Sequence, residues 1–247
     1  MKKLKKAEHT PINYSVWNFN GQGDNLAKLF NPKERELWDA NLSFIDKRDD
    51  LGHVEIVTYF AFKLLDTFPS TDRKVVIPAA ILHDNGWSQM TKTELALFYE
   101  SRDDGKGKEI WRRYEPVLRA RHQEIGADLA EKILTDQDWP KENIPHICEI
   151  ILGHDTRQGF YSPEDGIVRS ADKLYRFTFP HLGQAIRNRK TWTIKRLNTL
   201  MGEWINEKGY FWQDSKKIKE IAQTERQNAL EYSKREGKKT LQSWTQH

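Results

Sequence analysis

The run EPVLRARHQEIGADLAEKILTD, residues 115–136, sets Leu118, Ile125, Leu129 and Ile133 along one face of a 3.6-residue repeat. The same spacing returns in the other apolar stretches. No segment alternates apolar and polar residues with the period of two that a half-buried strand requires. Together these two observations restrict the chain to helix packed on helix, so the fold class expected is all-α.

The remaining elements follow from the same pattern. KERELWDANLSFIDKR carries Leu37, Trp38, Leu42 and Ile45, and GHVEIVTYFAFKLLDTF carries Val54, Val57, Ala61 and Leu64. STDRKVVIPAAILHD opens on Ser70, Thr71 and Asp72, all good N-cap types, while Pro78 predicts a kink or a late start and Asn85-Gly86 a stop. TKTELALFYESR reads as a short helix, and DDGKGK as a solvated turn. KENIPHICEIILGHD adds Ile147, Ile150 and Ile151, and SPEDGIVRSADKLYRF begins with a Ser-Pro-Glu-Asp helix start. Beyond Pro180, TIKRLNTLMGEWINEKGYF and SKKIKEIAQTERQNALEYSKREGK make two further charged helices. Residues 1 to about 31, with Pro11, Asn18, Asn20, Gly21 and Gly23, lack periodicity and read as an arm or loop. The organisation expected is an N-terminal arm over 1–35, a helical core over 36–180 and C-terminal helices packed on that core over 181–247.

Composition narrows the function classes. Aromatics make up 11% of the 247 residues, nine of them Trp, which a disordered chain with 31% charged residues would lack. The net charge of +4 comes largely from the ends, in MKKLKK and SKREGKK, which read as solvated termini. No basic stripe interleaved with aromatics lies between them, which argues against a nucleic-acid partner. Cys148 is the lone cysteine, so an internal disulfide and a thiolate metal cage are both excluded. MKKLKK is followed by no apolar stretch of the signal-peptide kind, and no apolar run reaches the roughly 18 residues of a membrane span. The expectation is a cytoplasmic protein with no membrane partner.

Four histidines share a habit: His53 precedes VEIV, His83 follows AAIL, His122 precedes QEIGADLAEKIL and His154 follows CEIIL. Asp84 adjoins His83, and Asp172 lies in a similar apolar setting in IVRSADKLYRF. Each buried polar group costs a few kcal/mol unless satisfied. Several helices turning such groups inward need separate hydrogen-bond networks or one shared metal centre, and helical bundles build metal sites in this way. Taken singly, each histidine reads more readily as an ordinary hydrogen-bonded residue than as a ligand; the set as a whole favours the metal. His146 lies eight residues before His154, about 80° away around the same helix, and reads as structural. His9, His181 and His247 lack apolar context and read as surface residues.

The ordered set His53, His83-Asp84, His122, His154, Asp172 resembles the HD-domain metalloprotein superfamily, and ILHDNGW resembles its LLHDIG segment. The resemblance covers roughly residues 50–180. The chain departs from it at Asn85, where an apolar residue is usual, and at Trp87. The resemblance implies an HD-domain metal-binding core in which His53, His83, Asp84 and Asp172 hold one metal. Asp84 then bridges to a second metal held by His122 and His154. Imidazole and carboxylate donors without thiolate suit two divalent ions, Fe or Mn first, with Zn, Ni, Co or Mg also compatible.

Three functions are compatible with that resemblance. The first is hydrolysis of a phosphate ester or nucleotide-type anhydride through a metal-bridging hydroxide, on a small phosphorylated substrate. In this reading Asp84 and His122 act through the metals. Arg157, Arg169, Lys173 and Arg176 bind phosphate, with Lys173 nearest the reaction. Arg169, Lys173 and Arg176 recur at i, i+4 and i+7 beside Asp172, although a solvated charged face has the same spacing. Asp155 either orients a ligand imidazole or caps a helix end. The second function resembles inositol oxygenase and phosphonate-cleaving oxygenases, with a di-iron centre oxidising a small hydroxylated or phosphonate substrate with O2. Trp87, Trp111, Phe160 and Tyr161 near the motifs would wall such a pocket, or simply belong to the core. The third is a non-catalytic nucleotide-sensing domain.

Overall fold

The computed structural model describes residues 23–45, 52–100, 107–188 and 192–243. Among them are eleven α-helices and no strand: α1 (Gly23–Leu29), α2 (Pro32–Asn41), α3 (His53–Thr67), α4 (Arg73–Leu82), α5 (Lys92–Glu100), α6 (Gly107–Asp136), α7 (Ile144–Gly153), α8 (Pro163–Tyr175), α9 (Phe179–Asn188), α10 (Ile194–Asn206) and α11 (Lys216–Ser243). The protein is all-α. No helix of the described residues is long and apolar enough to cross a membrane. Residues 1–22 of the expected arm, the start of the DDGKGK turn, MKKLKK, His9 and His247 lie outside the described residues, as does the Trp111 side chain.

Helix starts follow local chemistry. The Asn31 side chain accepts from the Glu34 N–H while Glu34 reaches back to the Asn31 N–H, a reciprocal capping box at the start of α2. Asp72 caps α4 by accepting from the Lys74 N–H at 2.8 Å. Ser162 caps α8 by accepting from the Asp165 N–H at 3.1 Å. Pro78 neither delays α4 nor breaks it. Its missing N–H would orphan the Lys74 carbonyl four residues back, and the Trp139 indole donates to that oxygen at 3.0 Å. Two sequence expectations are corrected here. Residues 23–29 form α1, with Leu26 buried in the core; seven residues are too few to display a helical period. Helix α6 begins at Gly107 rather than near Glu115, carrying Pro116 inside it. The helix expected over SKKIKEIAQTERQNALEYSKREGK is α11, which runs on to Ser243.

The main core joins α2, α3, α4, α7 and α8 with the C-terminal helices, through Trp38, Phe60, Ile77, Ile150, Leu174 and Phe177 among others. A smaller cluster of Trp87, Met90, Phe98 and Leu118 lies under the 3-10 turn over Asn85–Gln89, against α5 and α6. Gly86 in that turn has an ordinary φ, so its role is close approach, not a left-handed stop. A Cβ there would run into the His122 carbonyl and lie 2.7 Å from the Gly126 nitrogen. Turn and α6 therefore touch backbone to backbone, which brings Asp84 and His122 into one site.

Candidate metal centre

Helix ends build most of this site. His53 is the first residue of α3, behind Gly52 at φ +76°, a left-handed position that suits glycine. His83 and His154 stand at the C-caps of α4 and α7, where aligned peptide dipoles favour a cation. Buried helix ends carry orphan carbonyls, and here they are satisfied. His83 Nδ1 lies 2.9 Å from the Ala80 oxygen, Asn41 donates to the Ile81 oxygen at 2.8 Å, and His154 Nδ1 lies 2.7 Å from the Ile151 oxygen. A carbonyl only accepts, so Nδ1 carries the hydrogen in both histidines and Nε2 presents its lone pair inward. His122 comes from the middle of α6 and Asp172 from the last turn of α8.

The six side chains converge in two groups, His53 with His83 and Asp172, and His122 with His154 and Asp84; within each, the donor atoms lie within 4.8 Å of one another. In the first, His53 Nε2 is 3.0 Å from His83 Nε2 and 3.4 Å from Asp172 Oδ1. In the second, the two Nε2 atoms are 3.4 Å apart. Asp84 serves both. Its Oδ2 is 3.2 Å from His53 Nε2 and 3.7 Å from His83 Nε2, while its Oδ1 is 3.5 and 3.4 Å from the His122 and His154 Nε2 atoms. A metal about 2.1 Å from each donor spaces neighbouring ligands at about 3.0 Å in an octahedron and about 3.4 Å in a tetrahedron. The observed spacings fit a cation in each group, and these buried His and Asp residues could hold metal ions.

The local electrostatics divide the imidazoles. Burial pushes His83 down to about 4, against the pull of Asp84, and burial likewise lowers His122. Burial alone would lower His154 too, but the Asp84 and Asp155 carboxylates outweigh it and hold the group up at about 9. Burial would raise half-buried Asp155, yet Arg119 and the neighbouring imidazoles pull its carboxyl well below the usual range.

Around the ligands, three supports occur three residues from one of them. Trp87, three after Asp84, donates its indole N–H to Asp84 Oδ1 at 3.2 Å and stacks on His122 with centroids 4.2 Å apart. Arg119, three before His122, pairs with Asp155 at 2.6 Å and with Glu115. Tyr175, three after Asp172, meets His53 edge-on at 4.5 Å. Arg119 and Tyr175 escaped the sequence reading; helical spacing from each ligand would have found them.

The four expected phosphate-binding cations divide. Arg157 folds back over Gly153 to Glu149 and stacks on exposed Tyr161. Arg169 donates to the carbonyls of Gly159 and Arg157, tying their loop to α8. These two brace the loop and do not join the ligand cluster. Lys173 donates to the Tyr210 carbonyl at 2.5 Å; burial, then Arg169 and Arg176, bring it down to about 8. Arg176 lies 3.4 Å from the Tyr210 hydroxyl, and the charges of Tyr210, Asp172 and Asp155 raise it despite burial. His146 bonds Ser162 at 2.9 Å, away from the cluster. His181 is half-buried against Tyr175 at 5.4 Å rather than free on the surface, because α9 begins only four residues after α8 ends.

No family model, curated protein or solved structure matches this chain significantly.

Proposed function

We propose that this chain is a metal-dependent phosphohydrolase of the HD type, holding two divalent cations and acting on a small phosphorylated substrate in the cytoplasm. The observation that supports this most directly is the bridging placement of Asp84, one carboxylate oxygen toward each histidine pair. Two cations bound there would acidify a water and brace the oxygens of a phosphate. The protein's own part is to fix the donors. Carbonyl-bound Nδ1 atoms set the His83 and His154 tautomers, and Trp87 orients the shared carboxylate. Arg176 and Lys173 supply cations on the α8 side, next to Asp172, where an anionic substrate needs counter-charge. The all-nitrogen-and-oxygen donor set favours Fe or Mn.

A di-iron oxygenase is the second reading, favoured by the aromatic walls that Trp87 and Tyr175 place directly on two ligand imidazoles. Metal analysis after anaerobic purification, followed by an aryl phosphate and nucleotide panel with Mn2+ or Co2+, tests the first reading. Hydrolysis abolished by Asp84→Ala is the result expected. Two irons, no hydrolysis and substrate-dependent O2 uptake would replace it with the second.

A further inference from the structure

The step that delivers Asp84 occurs twice. At the end of α4, His83 sits in helical conformation at the C-cap, sends Nδ1 to the carbonyl three residues back, and is followed by Asp84. At the end of α7, His154 does the same with Ile151 and is followed by Asp155. Asp155 Oδ2 lies 3.7 Å from His122 Nε2 and 3.9 Å from His154 Nε2, against 3.7 Å between Asp84 Oδ2 and His83 Nε2. Its position is braced: the Asp155 N–H donates to Gln123 Oε1 at 2.8 Å and Arg119 holds Oδ2.

Resting on the two-cation reading above, we propose that Asp155 is a seventh metal ligand, the terminal carboxylate of the His122–His154 cation. Each cation then has the same donors: two imidazoles, one oxygen of Asp84 and one private carboxylate, Asp172 on one side and Asp155 on the other. Three carboxylates against two dications leave one net positive charge, where two would leave two. Oδ2 needs to move only a few tenths of an ångström to reach the spacing of the other ligands, and Arg119 has Glu115 as its second partner during that shift.

The test is Mn2+ titration of the full-length metal-free protein, with bound and free ion counted by electron paramagnetic resonance. Wild type, Asp155→Asn and Arg119→Gln are compared. Asp155→Asn is expected to bind the first ion as wild type does and the second more than about a hundredfold more weakly, beyond the ten- to hundredfold typical of removing a group that only hydrogen-bonds a ligand. Arg119→Gln keeps the carboxylate and is expected to hold the second ion at least as tightly as wild type. A smaller loss in Asp155→Asn, or an equal loss in Arg119→Gln, overturns the proposal, because Asp155 is then only the counter-ion of Arg119. If Asp155→Asn does not fold, with Arg119 left unpaired, the double variant removes both charges and is held to the same threshold. A wild-type protein that takes up fewer than two ions refutes the two-cation reading instead.

Discussion

Replacing Gly86 with alanine tests whether the metal centre depends on the backbone contact between the 85–89 turn and α6. The added Cβ would sit 2.7 Å from the Gly126 nitrogen and 3.0 Å from its Cα, with the His122 carbonyl nearer still. Ordinary contact begins at 3.4 Å, so the two backbones must separate by at least 0.7 Å. Neither obstacle is the flexible end of a side chain. Overpacking of this kind costs about 1–3 kcal/mol, which in a chain of this size lowers the melting temperature by about 2–12 °C. The site should suffer more than the fold. Metal sites tolerate errors of about 0.2 Å in ligand distance, and the displaced strand of backbone belongs to His122 itself. Gly86→Ala is therefore expected to lose the His122–His154 cation while retaining the His53–His83–Asp172 cation. Gly126→Ala is the control: its Cβ would meet the Asn85 side chain at 3.2 Å and the Ile151 methyl at 3.3 Å, both able to give way. Differential scanning calorimetry and metal analysis on the two variants decide the matter. If Gly86→Ala melts with wild type and binds two ions at wild-type affinity, the reasoning from backbone contact to metal geometry is wrong.

Asp84→Ala should abolish binding of both cations, whereas His122→Ala should leave one and remove most activity; unchanged turnover in His122→Ala would indicate a mononuclear enzyme. Lys173→Ala should raise KM for an anionic substrate without lowering metal content, and the wild-type KM should climb above about pH 8, where Lys173 loses its proton; loss of folding alone would remove Lys173 from substrate binding. In the metal-free protein His154 carries a proton below about 9, and a cation needs its bare Nε2. Affinity for the second ion should therefore fall about tenfold per pH unit below that value and level off above it, as titration calorimetry in buffers of different ionisation enthalpy would show.

Much of the ligand cluster was legible because its members stand where helix periodicity meets a helix end. His53, His83 and His154 each stand beside a mainly apolar helical segment, VEIV, AAIL and CEIIL, so pattern and position agree. The hydrogen-bonding carbonyls that fix the His83 and His154 tautomers follow from C-cap geometry. What stayed hidden depends on the third dimension. Arg157 follows His154 by three residues and Arg169 shares α8 with Asp172, but Glu149 captures the first and loop carbonyls the second. Charge type alone does not say which partner is nearer. Gly86 reads as part of a helix stop, and α4 does end just before it, at Leu82; only the packing of α6 across it shows a steric need as well. The indole that rescues the proline-interrupted α4 comes from 61 positions downstream of Pro78, beyond any local window.

The candidate ligands come from five helices and from residues as far apart as 53 and 172. No short peptide from this chain holds more than two of them, so an unfolded chain is a poor chelator. Ions that bind only the finished fold act as late staples across it. At free metal a hundredfold above the dissociation constant, one such ion adds about 2.7 kcal/mol of stability. Material prepared in a strong chelator would then be softer and more easily cleaved by proteases than the same chain purified with its metals, even where its helix content is unchanged.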